Sequence, residues 1–215
     1  MIKAVIFDLD GTLIDTEKYY RIFWPKALAE FGYELSDERA LQLRSLGRPF
    51  APRQFKDWFG EDFDYIAVRD RRKEMMEAFF DENGIGVKHG AVEILEYLKK
   101  EKIVAAIATA SDLIRTEKYL RKVGLYEYFD QFISATMVAE GKPSPDIYQY
   151  ACEQLGLSPA ECMAVEDSPN GVMSAFRAGC NVVMVPDQTR PDEELSKYLY
   201  GCVDSLEQIC GLLGE

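Results

Sequence analysis

Residues 1–16 read MIKAVIFDLDGTLIDT: an apolar run, Val5, Ile6 and Phe7, stops on Asp8 and Asp10, and Gly11 and Thr12 follow. The run predicts a short strand that delivers acids to a site. A strand's two-residue repeat places Asp8 and Asp10 on one side and Leu9 on the other. Gly11 lets the chain turn sharply just beyond them. Two carboxylates about 4 Å apart repel by roughly 4 kcal/mol at an effective dielectric near 20, so keeping both charged calls for a cation or a shared proton. Taken alone, the stretch also reads as a strand followed by an acidic Asp-Gly turn.

The chain's 215 residues suffice for one well-buried core, or a core with a small inserted domain. Its net charge of −12 argues against sequence-independent binding to nucleic acid or an anionic membrane, which needs a basic surface, and favours a small substrate. Five cysteines lie scattered without a CxxC pair, which fits a reducing compartment. Asp8 cuts the N-terminal apolar stretch, no small-residue cleavage site follows, and no apolar run approaches the roughly 18 residues of a membrane span. A cytoplasmic monomer is expected.

Residues 17–80 read as helical. Phe23, Ala27, Leu28 and Phe31 recur at helical spacing before Gly32; Ser36 and Asp37 open a second helix, which Gly47, Pro49 and Pro52 interrupt; a third spans about Tyr65 to Phe80. Beyond Gly84, Gly86 and Gly90, helices alternate with short apolar strands at Ile103 to Ala108, Gln131 to Ser134, Cys162 to Val165 and Val182 to Val185. That alternation predicts an α/β fold whose parallel sheet is covered on both faces, with the helical stretch inserted after the first strand.

In open parallel sheets, ligands sit beyond the carboxyl ends of the strands. Strand one ends in Asp8 and Asp10, the second in Thr109, Ala110 and Ser111, and the fourth in Glu166, Asp167 and Ser168. Thr109 offers a hydroxyl, and the Ala110 and Ser111 amides stand at the start of the next helix, where an anion such as phosphate is favoured. Ordinary N-capping explains the same residues. Lys142, in a proline-stiffened loop, can neutralise a phosphate and a nucleophile together. Glu166 and Asp167 add hard oxygen ligands that suit Mg²⁺. Asp8, Glu166 and Asp167 then balance Mg²⁺ and Lys142, leaving Asp10 as a protonated general acid.

The order DLDGT (8–12), a strand ending in Thr109, Lys142-Pro143, and Glu166-Asp167-Ser168-Pro169-Asn170-Gly171 resembles the haloacid dehalogenase superfamily along the whole chain. The resemblance implies a Rossmann-like three-layer core, residues 1–15 and 84–215, with a small α-helical cap, residues 16–83. It implies that Asp8 is a nucleophile forming an aspartyl-phosphate and that Asp10 is the general acid/base, also binding Mg²⁺ through its backbone carbonyl. Thr109 and Lys142 would hold the phosphoryl group, and Glu166 and Asp167 would complete the metal shell. Asp10 argues against haloalkanoate dehalogenation, because a halide leaving group needs no proton.

The pattern is most similar to the β-phosphoglucomutase and sugar-phosphatase branch. It implies a Mg²⁺-dependent phosphatase of a small phosphorylated metabolite, with a phosphosugar mutase as the alternative and a non-catalytic binding protein as a remoter one. Tyr20 stands where the mutases carry a cap histidine. Lys73 resembles the cap lysine that meets the distal part of the substrate, and Gly47 and Arg48 lie in the cap's specificity loop. Hinges are expected near Ile14 to Glu17 and Phe80 to Gly86. His89 reads as a loop residue, and Phe55, Trp58, Phe59, Phe63 and Tyr65 as cap packing.

Overall fold

A computed structural model describes residues 1–214, so Glu215, the last residue of the expected core segment, lies outside the described residues. Six parallel strands form one sheet in the order β3-β2-β1-β4-β5-β6. They are β1 (Ala4–Phe7), β2 (Val104–Thr109), β3 (Gln131–Ser134), β4 (Cys162–Glu166), β5 (Asn181–Met184) and β6 (Gly201–Cys202). Between β1 and β2 come α1 (Glu17–Glu30), α2 (Asp37–Gln42), α3 (Phe50–Phe59), α4 (Tyr65–Asn83) and α5 (Ala91–Glu101). Between β2 and β4 come α6 (Leu113–Lys122) and α7 (Asp146–Leu155), and after β4 come α8 (Pro169–Ala178), α9 (Glu193–Ser196) and α10 (Ile209–Leu213).

The period of two explains the layers. Val5 and Phe7 turn to one face of the sheet, where Leu95 and Leu98 of α5, Tyr119 of α6 and Ile209 of α10 cover them. Ala4 and Ile6 turn to the other, against Ile147 and Ala151 of α7 and Val172 and Ala175 of α8. A strand covered on both faces is apolar throughout, which is why β1 carries no alternation and is buried at all four positions. β1 lies centrally, in register with β2 through Phe7 opposite Ile107 and with β4 through Phe7 opposite Val165. The chain leaves β1 toward β2 and β3 on one side and returns to β4 on the other. This reversal opens a crevice at the carboxyl ends of these three strands.

Helices α1 to α4 share a separate apolar cluster containing Trp24, Leu28, Leu43, Phe55, Phe63 and Val68. The Phe55 and Phe63 rings stack at 5.3 Å, and Trp24 meets Phe55 at 4.7 Å. The segments entering and leaving this helical stretch pair with each other: Asp15 N–H donates to the Gly86 carbonyl and Lys88 N–H to the Leu13 carbonyl, both at 2.9 Å. No helix among the described residues is long and apolar enough to cross a membrane.

Two expectations need correction. Pro49 and Pro52 do not interrupt one helix: α2 ends at Gln42, and the prolines stand at the N-cap and in the first turn of α3. The missing N–H costs nothing there, since first-turn amides have no intrahelical partner. β6, α9 and α10 were also not anticipated. A two-residue strand and helices of four and five residues are too short to show a period.

Helix α8 is fitted closely to the end of β4. A Cβ on Gly171 would lie 1.9 Å from Glu166 Oε2, and Glu166 is fully buried, with Oε1 tied to Lys142 and Tyr148. Gly171→Ala should therefore destabilise the fold by about 1–3 kcal/mol, the usual cost of overpacking. A lower midpoint in chemical denaturation checks this, and an unchanged midpoint would show that Glu166 is free to move.

Candidate active site

Everything at the crevice is organised around Lys142. This side chain is fully buried, in the loop before α7, and its Nζ donates to Asp8 Oδ1, to Glu166 Oε1 at 2.6 Å and to the Ala108 carbonyl at 2.9 Å. Burial alone would lower its pKa, but the charges of Asp8 and Glu166 outweigh burial and raise it. Three donors meet three acceptors, so the ammonium is satisfied and fixed. Tyr148, from α7, adds a phenol hydrogen bond to Glu166 Oε1 at 2.6 Å.

The acids outnumber this one cation. Ligand oxygens of Asp8, Glu166 and Asp167 lie within 4.8 Å of one another. Asp8 Oδ2, Glu166 Oε2 and Asp167 Oδ2 are buried without a hydrogen-bond partner. Desolvation, with the Glu166 and Asp10 charges, pushes the Asp8 carboxyl up to about 8 although Lys142 pulls it down. Desolvation and the Glu17 charge raise Asp167 well above the usual range. Unpartnered buried oxygens need an explanation. A hard divalent cation supplies one, because all three donors are carboxylates. Gly11, at φ +87°, passes so near that a Cβ there would sit 2.6 Å from Asp167 Oδ2.

Asp10 behaves differently from the acid the sequence suggests. Its side chain is turned away from the carboxylate cluster and is gripped by Arg115, whose Nη2 lies 2.8 Å from Oδ1 and Nη1 3.1 Å from Oδ2. Ser111 Oγ donates to Oδ2 at 2.8 Å and Thr16 Oγ1 to Oδ1. Burial would raise the Asp10 pKa, but the Arg115 charge and these hydrogen bonds outweigh it and hold the carboxyl below its usual range. In this state Asp10 is an ion rather than the protonated partner expected from charge counting.

A cavity of about 260 Å³ lies over these groups. Asp8, Asp10, Thr109, Ala110, Ser111, Gly47, Arg48 and Lys73 all line it, whereas Lys142, Glu166 and Asp167 are buried and do not. Thr109 Oγ1 accepts the Ser111 N–H at 3.1 Å. The Ala110 and Ser111 amides precede α6 instead of starting it, because Asp112 takes the N-cap by accepting Arg115 N–H at 2.9 Å. Lys73 Nζ meets Asp112 Oδ2 at 3.2 Å. Gly47 brings its loop against the Lys142 loop: its N–H donates to the Lys142 carbonyl at 2.8 Å, and a Cβ would be 2.6 Å from Gly141 Cα. Phe55 and Tyr65 both pack in the helical cluster and face the cavity. His89 is exposed beside Glu207 and does not line it.

Sequence reasoning missed Arg115, Arg72 and Glu17, which also line the cavity. Arg115 had one local signal, its place three residues after a helix-capping Asp112. Tyr20, at the position noted for the mutase histidine, lies with its ring 4.5 Å from the Arg72 guanidinium and 5.4 Å from that of Arg115. Burial pushes its phenol up to about 12.

The family described as haloacid dehalogenase-like hydrolase matches residues 2–179. Hexitol phosphatase A of Escherichia coli (strain K12) is 34% identical over 209 residues, spanning 96% of this chain and 93% of that protein. β-Phosphoglucomutase of Bacillus subtilis (strain 168) is 28% identical, over 85% of this chain and 83% of that protein. The crystal structure of CbbY from Rhodobacter sphaeroides in complex with phosphate has a TM-score of 0.81 to this chain at 29% identity, covering 97% of this chain and 96% of the other.

The carboxylate cluster predicts a pH signature. The folded Asp8 pKa near 8 lies above its ordinary 3.8, so between these values the folded state binds more protons than the unfolded one. Without metal, stability should fall as pH rises from about 5 to about 8. MgCl₂ should raise the melting temperature, and more at about pH 8, where protons no longer compete for the oxygens. A chelated protein whose melting responds to neither pH nor MgCl₂ would contradict the cation site.

Proposed function

The chain belongs to the haloacid dehalogenase-like hydrolases and is an enzyme, and on that premise we propose that it is a Mg²⁺-dependent phosphatase of a small phosphomonoester, with Asp8 as nucleophile. The observation that carries the proposal is the buried Lys142, which meets Asp8 and Glu166 while three carboxylate oxygens beside it stay unpartnered. Phosphoryl transfer asks chiefly for positioning and charge neutralisation, and this arrangement offers both.

Asp8 attacks phosphorus, and the bond from phosphorus to the leaving oxygen breaks as an aspartyl-phosphate forms. Thr109, through its O–H, holds a phosphoryl oxygen, and Lys142 reaches another by giving up one of the three acceptors that occupy it in this structure. Mg²⁺, held by Asp8, Glu166 and Asp167, would neutralise charge on the transferring group. Asp10, an ion in this structure, first takes up a proton from solvent; it then gives that proton to the leaving oxygen and takes one back from the water that releases phosphate. To do so it must leave its ion pair with Arg115, so substrate entry and Asp10 release are coupled. Residues 1–15 and 84–215 form the core in this reading, and 16–83 the cap that closes over the substrate.

Tyr20 supports hydrolysis over a mutase. A phenol with a pKa near 12, stacked against two guanidinium groups, is a poor proton carrier near neutral pH. Sugar phosphates are the substrate class we favour, in keeping with the name of the hexitol phosphatase relative. Asp8→Asn should lower phosphate release by roughly 10³-fold or more while the protein still melts cooperatively. Wild-type enzyme with MgCl₂ should release phosphate from a panel of sugar phosphates without converting β-glucose 1-phosphate to glucose 6-phosphate. Substantial activity in Asp8→Asn would overturn the nucleophile, and isomerisation with little phosphate release would make the protein a mutase.

A further inference from the structure

The cavity contains a cation that the proposed chemistry does not use. Arg72, on α4, is 6% exposed, yet no described residue gives it an ion pair or a hydrogen bond, and its Nε is buried without a partner. Of the cations around it, Arg115 is committed to Asp10, Lys73 to Asp112 and Lys118 to Glu77, whereas Arg48, which lines the same cavity without an ion pair among the described residues, is exposed to solvent. An unpaired buried charge is costly, and a fold that retains one needs a counter-charge from elsewhere.

The surroundings of Arg72 fix which part of it is free. Its guanidinium carbon lies 4.5 Å from the Tyr20 ring centroid and 4.6 Å from that of Trp24. Two aromatic rings therefore lie against it, and its unpartnered N–H groups are what it can offer to a ligand. That planar fork matches a carboxylate or phosphate, which can accept two parallel hydrogen bonds. Arg72 lines the cavity above Asp8, and also a second lobe of about 290 Å³ that opens between α4 and α6 beside Lys73, Arg115 and Lys118. Its sequence neighbour Arg71 faces outward and pairs with Glu30 and Glu74.

We propose that Arg72 is a specificity-determining residue that binds a second anionic group, a carboxylate or a second phosphate, on the part of the substrate remote from the phosphoryl group held at Asp8. The inference rests on the phosphatase reading and narrows its substrate class to phosphomonoesters carrying another negative charge. Tyr20 and Trp24 hold the guanidinium at the cavity wall. Because Tyr20 is occupied in this way, its substitution for the mutase histidine has a positive role.

The test compares kcat/KM for three phosphomonoesters of similar length: a phosphorylated sugar acid, a sugar bisphosphate and a hexitol phosphate with an uncharged tail. Wild-type enzyme should favour one or both charged-tail substrates, and the two charged arms tell carboxylate from phosphate. Arg72→Met keeps the stem between the rings but removes the charge, so the charged-to-neutral ratio should fall about 10- to 100-fold, with Arg72→Lys recovering part of it. Arg72→Met should also melt no lower than the wild type, since it buries no unpaired charge. Preference for the neutral tail, or an equal loss on all three substrates, would overturn the proposal. If no compound is hydrolysed, including a generic aryl phosphate, the phosphatase reading fails by itself. Calorimetric binding of the three unreacted compounds to wild type and Arg72→Met then decides the role of Arg72: tighter binding of charged tails that disappears in the variant supports it, and equal binding overturns it.

Discussion

One buried ammonium group governs the site. Lys142 lies where the carboxyl ends of β1, β2 and β4 meet, and its three donors are taken by Asp8, Glu166 and the Ala108 carbonyl, one partner from each of these strands or its immediate end. A charge buried this completely persists only when its geometry is nearly ideal and its partners are fixed. The fixing comes from the fold. Parallel pairing sets the register of the three strands, Tyr148 holds Glu166 from α7, and α8 lies close against Glu166 at Gly171. The ion pairs locate the carboxylates, and their remaining oxygens are left facing one another with no partner. The same constraint that stabilises the strand ends thus leaves a group of carboxylate oxygens that could hold a metal ion.

Asp10 shows a second balance. It is two residues from Asp8, yet its carboxylate belongs to a different network, that of Arg115, Ser111 and Thr16. Separating the two acids into two cationic environments eases the repulsion that the bare DLD sequence poses, although the Asp10 charge still helps to raise the Asp8 carboxyl. Asp8 faces the lysine and its carboxylate neighbours, while Asp10 faces an arginine that sits on α6 beneath the helical insertion. Tyr20 of α1 lies over both Arg115 and Arg72. Movement of the insertion would therefore disturb the groups that restrain Asp10.

The sequence disclosed the parts of this arrangement that depend on local period. The apolar run before Asp8 could only be a covered strand, and Thr109 and Glu166-Asp167 were found by following each apolar stretch to its end. The covered parallel sheet emerged from the same pattern. What was not legible depends on contacts between distant elements. Arg71 and Arg72 are indistinguishable in DRRKE, yet one pairs with Glu30 at the surface and the other is enclosed by Tyr20 and Trp24. Asp10 was expected to carry a proton because Arg115, 105 residues away, has no counterpart in a count of motif charges. The N-cap of α6 falls to Asp112 rather than to Thr109 or Ser111, so the Ala110 and Ser111 amides stand just before the helix. The short β6 strand exists because β5 offers it an edge.

The most direct test of the account is borohydride trapping during turnover. An acyl phosphate on an aspartate is reduced to homoserine, whereas a free carboxylate is not. Enzyme quenched into tritiated borohydride while hydrolysing a sugar phosphate with MgCl₂ should carry label at position 8, and none without substrate. Sustained phosphate release with no label at position 8, or with label at position 10 instead, would contradict the assignment of Asp8 as the group that Lys142 and the carboxylate cluster prepare for attack.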